Sequence, residues 1–128
     1  MVLGPRQFEA DRSGAGAVLC AWSIYLSVQN YMRSCAVAQS PADDVIDEAI
    51  VAIDDFILAN SSLHPTRAAL EAFRRRVAES DARRKSGDRT ICENRDLEHL
   101  RGVEPQALRE SVKKLLAVPR EPVMNPCL

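Results

Sequence analysis

Four cysteines and two histidines are the side chains in this sequence whose types could do covalent or metal chemistry, and their spacing narrows what that chemistry is. The cysteines stand at Cys20, Cys35, Cys92 and Cys127. No two form the close pair of a zinc ribbon or a dithiol redox motif. An even, widely spaced set instead suits two disulfides formed in an oxidising compartment. His99 follows Cys92 by two helical turns, about 10 Å of rise, too far for an imidazole to activate a thiol. His64 precedes Pro65 at a helix start and reads as a loop or cap residue. Asp43, Asp44, Asp47 and Glu48 crowd one stretch, but they lack the tight glycine-bearing loop that gathers oxygens around calcium. They read as a solvated helix face. No catalytic, metal or cofactor site is expected.

Two basic runs, Arg74–Arg76 and Arg83–Lys85, fall in one predicted helix. Nucleic-acid binding is one reading of them. However, 17 basic residues against 18 acidic give a formal net charge of −1, which supplies no global field for a polyanion. A second reading sets the basic helix beside an acidic neighbour, where Arg–Asp pairs fix register and add little energy when exposed. A third takes Arg75, Arg76, Arg83, Arg84, Lys85 and Arg89, with Asp81 and Asp88, as a charged projection that recognises a protein partner.

The elements that must position these groups are helical. Val18, Trp22, Tyr25, Val28, Met32 and Ala36 recur at three to four residues, predicting a first helix over about 16–38. Leu19, Ile24 and Leu26 widen its apolar arc, so it is expected to be central, with Trp22 in the core. Ser40 and Pro41 open a second helix ending near Asn60-Ser61-Ser62, with Val45, Ile46, Ile50, Ile53 and Ile57 in its stripe and Asp44, Asp47, Glu48, Asp54 and Asp55 towards the other side. A third helix starts near Pro65, carries Leu70, Phe73 and Val77, and continues to about Lys85. Thr90 to Glu93 has the form of a capping box. It opens a short helix that ends at Gly102, and Pro105 opens a last helix to about Ala117. Residues 1–14 read as a loose lead-in and 118–128 as an extended, proline-rich tail. Sustained alternation is absent, so no sheet is expected.

The apolar run Ala17–Val28 is too short to span a bilayer. Ala36-Val37-Ala38 before Gln39 has the look of a signal-peptide cleavage site. The mixed charges of Arg6, Glu9, Asp11 and Arg12 do not make a positive leader, and the run is read as a core helix.

Geometry restricts the cysteine pairing. Cys20 and Cys35 on one helix lie ~22 Å apart, beyond the ~6 Å of a disulfide. Short loops send the first three helices up, down and up. That brings Cys92 back to Cys35, and the descending last helix and its tail carry Cys127 to Cys20. Pairs 35–92 and 20–127 are therefore expected.

With 128 residues and 46% hydrophobic content, the chain is expected to be one all-α domain, an antiparallel up-down bundle of four to five helices stapled by disulfides. Arginine outnumbers lysine 14 to 3, which suggests a GC-rich bacterial source. The function expected is non-enzymatic: a periplasmic or secreted protein of inhibitor, immunity or envelope-stress type that binds another protein. The alternatives are a cytosolic regulatory module using the basic third helix on nucleic acid or an acidic partner, and a small carrier of a hydrophobic ligand.

Overall fold

The computed structural model of the chain describes residues 8–83 and 91–127, apart from the side chains of 81–83 and 91. Five helices form an antiparallel bundle: α1 (Val18–Ser34), α2 (Pro41–Asn60), α3 (Arg67–Arg83), α4 (Arg95–Arg101) and α5 (Pro105–Leu115), with a 3-10 turn at Ile91–Glu93. The described residues contain no strand.

Cross-helix hydrogen bonds fix the directions. Trp22, early in α1, donates to Asp54, late in α2, and Gln29, late in α1, donates to Asp47, early in α2. The two helices are therefore antiparallel. α3 packs along α1 and α2, α4 caps the end of the bundle where α2 begins, and α5 runs down α2. The expectation of a single central helix needs amendment. α2 contacts all four other helices, because Val45, Ile46, Ala49, Ile50, Ile53, Phe56 and Ile57 bury an arc wider than one stripe. α1 and α2 together form the spine.

α1 ends at Ser34, short of the expected 38. Cys35 is extended, with φ −117° and ψ 143°, and residues 35–39 cross to α2. The crossing feeds Ser40, itself extended before Pro41, as proline requires of the residue it follows. A capping box secures α2: the Ser40 hydroxyl accepts from the Ala42 N–H, and the Asp43 carboxylate accepts from the Ser40 N–H at 2.6 Å. Thr66 caps α3 through its hydroxyl, which accepts from the Ala69 N–H at 3.1 Å. α4 is capped by Asn94, whose side chain accepts from the N–H groups of Asp96 and Leu97. Asparagine is the stronger cap, and the expected cap Thr90 lies outside the described residues. Gly102 does end α4, but with φ −88°. The stop therefore does not draw on the left-handed region open to glycine. α5 stops at Leu115 and is opened by the Glu104 carboxylate.

The largest departure concerns the chain's two ends. The sequence reading makes residues 1–14 a loose lead-in and 118–128 an extended tail, and assigns neither a docking place. Instead the tail docks across the start of α1, where first-turn N–H groups have no helical partner. Leu19 N–H donates to the Val123 carbonyl at 3.0 Å, and Asp11 N–H to the Asn125 carbonyl at 2.8 Å. Ala10 and Asn125 form an isolated bridge. Glu121 accepts from the Ser62 N–H and hydroxyl. Pro122 and Val123 are buried. An extended, proline-bearing segment leaves its carbonyls free, and here they satisfy donors of α1 and the lead-in.

Candidate functional site

Cys35 and Cys92 are bonded with Cα atoms 5.6 Å apart, and Cys20 and Cys127 with Cα atoms 5.3 Å apart. These are the pairs the up-down argument expected, one at each end of the bundle. Cys92 is thus held as a disulfide sulfur, and none of the four cysteines carries a free thiol.

The titratable groups gather in three places, each built around an arginine that meets a buried aspartate. At the α4 end, Arg101 forms a two-pronged pair with Asp43, with Nε and a terminal nitrogen each 2.9 Å from a carboxylate oxygen. Both side chains are inaccessible, at 4% and 0% exposure. Arg101 also donates to Glu98 and to the Ala38 carbonyl, and its guanidinium lies over the Tyr31 ring. The Tyr31 hydroxyl donates to Glu98 at 2.6 Å, and Ser40 donates to the Arg101 carbonyl. The second place is the opposite end of the bundle. There Arg120 donates to Asp11 at 2.6 Å and to the Gly16 carbonyl, and packs over Phe56. In the middle, Asp54 accepts from the Trp22 indole at 3.0 Å and pairs with Arg74 at 3.1 Å. Among the described residues every buried side-chain nitrogen and oxygen has a partner.

The electrostatics separate these places. For Asp43, burial pushes the carboxyl up. The Arg101 hydrogen bonds, the Ser40 N–H and the Arg101 charge outweigh it and hold the group below the usual carboxylate range. Asp11 behaves likewise, with burial overcome by Ser13 and Arg120. The bond from Tyr31 lowers Glu98 and raises the phenol in return. Arg101 is driven further above its ordinary value, first by its hydrogen bonds to Asp43. These groups are all pushed away from neutrality, so both end clusters act as fixed ionic knots. Asp54 moves the other way: burial raises it, against Arg74 and the Trp22 indole.

The predicted surface is only partly on view. Arg75 and Arg76 are exposed on α3. Glu71 and Glu79, both exposed, stand four residues to either side of Arg75, an arrangement that pairs charges along a helix. Arg74 is drawn inward to Asp54, and Arg67 reaches Asp55 at 2.8 Å. Arg83 ends α3, its side chain outside the description, and Arg84, Lys85 and Arg89 lie outside the described residues. On α2, Asp44, Asp47, Glu48 and Asp55 meet Gln39, Gln29, Arg109 and Arg67 respectively. That acidic face is laced to its neighbours from several sides. Among the described residues no group of three or more His, Cys, Asp and Glu side chains could hold a metal ion. No described helix is long and apolar enough to cross a membrane.

Trp22 belongs to the core, as expected. It is 1% exposed, and its ring stacks on Phe73 at 5.2 Å. A shallow depression of about 100 Å³ between α2 and α5, lined by Val45, Ala49, Ala52 and Val112, is well below the several hundred Å³ of a small-molecule site.

The sequence reading sets Asp43 on a solvated face and Asp54 on the outer side of α2, whereas both are buried, and it assigns no role to Arg101 or Arg120. Asp54 and Arg101 left a signal. A lone tryptophan in an apolar helix needs an acceptor for its indole N–H, and antiparallel packing puts residue 54 opposite residue 22. Arg101 stands at the i+4 position from Leu97, on the inner stripe of α4, where a buried guanidinium requires a carboxylate. For Arg120, in irregular chain, no periodic signal exists.

No protein-family model matches the chain, and neither a curated protein nor a solved structure matches it.

Proposed function

We propose that this chain is a small exported bacterial protein that works by binding another protein, in the manner of an inhibitor, immunity or envelope-stress protein, and not by catalysis. The observation that carries the proposal is the pair of disulfides, one at each end of the bundle, closing sequence separations of 57 and 107 residues. Bridges of this kind persist outside the reducing cytosol, in the periplasm or beyond the cell. The interior charges support the same reading, because the end clusters are closed ionic knots with their protons fixed. The exposed arginines Arg75 and Arg76 of α3, together with Arg83, Arg84, Lys85 and Arg89 in the following sequence, form the contact surface. The partner surface that suits them is acidic and of matching pattern.

A photo-crosslinking residue at position 76, introduced into the chain in its native host, tests this. A discrete crosslink to one protein, weakened when Arg75 and Arg83 are replaced by glutamate, is the expected result. Vigorous hydrolytic or redox turnover by the purified protein, with no crosslink, would contradict it.

A further inference from the structure

α3 is held unlike the other long helices. Leu70 is the one buried side chain among those described on it, with Phe73 half-buried against Trp22. α5 is shorter, yet it buries Leu108, Val112 and Leu115. The other ties of α3 to α2 are ionic. The Arg67–Asp55 pair is more than half exposed on both sides, and Arg74 of the Arg74–Asp54 pair is 27% exposed. Neither disulfide involves α3. One joins the start of α1 to the tail, and the other joins the chain just past α1 to the turn before α4. α1 and the 91–127 part of the chain therefore stay bracketed whatever α3 does.

We propose that α3 is a detachable cover, which opens as a unit while α1, α2, α4 and α5 stay folded, and whose opening uncovers Trp22 and Asp54. Local opening follows the least-buried cooperative unit of a fold, and α3 is that unit among the long helices. Opening returns to water a carboxylate that burial disfavours. Against that gain it gives up the Trp22–Phe73 stack, Leu70 and two pairs, of which the exposed one contributes little. The inference concerns the chain alone, so it stands or falls separately from the proposed partner.

Hydrogen–deuterium exchange on the full, oxidised chain tests it. The amides of residues 70–80 are expected to exchange through an opening that leaves the middle of α1 and α2 protected. In the Arg67→Ala/Arg74→Ala variant, α3 exchange is expected to rise about tenfold, ~1.4 kcal/mol, with α1 and α2 unchanged. If that variant does not fold, added salt on the wild-type chain serves instead, because it screens both the Arg67–Asp55 pair and the partly exposed Arg74–Asp54 pair and is expected to speed α3 alone, by less than the double substitution. Exchange of α3 in step with α1 and α2, or an equal response of all three to the substitutions or the salt, overturns the proposal.

Discussion

Asp54 and Asp43 are both buried aspartates that face an arginine, and they are expected to respond to pH in opposite senses. Burial raises the Asp54 carboxyl above the ordinary aspartate value of 3.8, so the folded chain holds that proton more tightly than the unfolded chain does. Its contribution to stability is therefore fully present below about pH 4 and is lost as pH rises through the folded titration. Asp54→Asn removes the charge and keeps an acceptor for the indole. Urea unfolding followed by circular dichroism should show wild type losing stability relative to Asp54→Asn as pH rises above about 4; parallel curves would contradict this. Asp43 is lowered, and its contribution is present above about pH 4 and lost in stronger acid. The Asp43–Arg101 pair should be sensitive to removal of one partner, since the other is left buried and uncompensated. Arg101→Met is expected to cost about 3–5 kcal/mol in the same unfolding measurement. A cost near zero would mean that Asp43 finds water in the variant.

The elements show why some of the structure could be read from sequence. α2 carries every cue at once: a serine cap, a proline in the first turn, acids at the positive end and an apolar stripe. It runs from Pro41 to Asn60, as those cues indicate. α1 carries only periodicity, which continues through Ala36, and its true end depends on the crossing needed to reach Ser40. Periodicity cannot report that crossing, because it is set by tertiary geometry. The same limit hid the docking of the tail on α1, which is made by backbone hydrogen bonds that no side-chain pattern encodes. At the junction of these elements, Gly16 adopts φ +112°, and a Cβ there would meet the Leu115 side chain at 3.3 Å. α5 thus seats its last turn against a position that only glycine fills without strain. Gly16→Ala is expected to cost about 1–3 kcal/mol, measured as a lower urea midpoint with an unchanged slope. A gain in stability would show that the lead-in relaxes freely.

At the scale of the molecule, architecture was legible and the interior charges were not. Helix count, direction and cysteine partners follow from periodicity, loop length and the ~22 Å reach argument, which depend on the chain's gross geometry. The buried pairs depend on side-chain register to within one residue. A helix stripe drawn from hydrophobicity assigns every aspartate to solvent, which is why Asp54 was placed outward. The surface proposed for a partner is the part least specified by pattern, since exposed arginines obey no packing constraint.

Two bridges tie the first helix to the last third of the chain from both ends. Each closes a loop long enough to contribute ~4–5 kcal/mol in the chain-entropy model, comparable with the whole net stability of a small domain. Peptide mapping by mass spectrometry without reduction, on protein taken from its native host, tests that most directly. Linked peptides containing Cys35 with Cys92 and Cys20 with Cys127 are expected. Four free thiols would contradict both the staple and the compartment inferred from it, and any other pairing would contradict the helix order that brings these cysteines together.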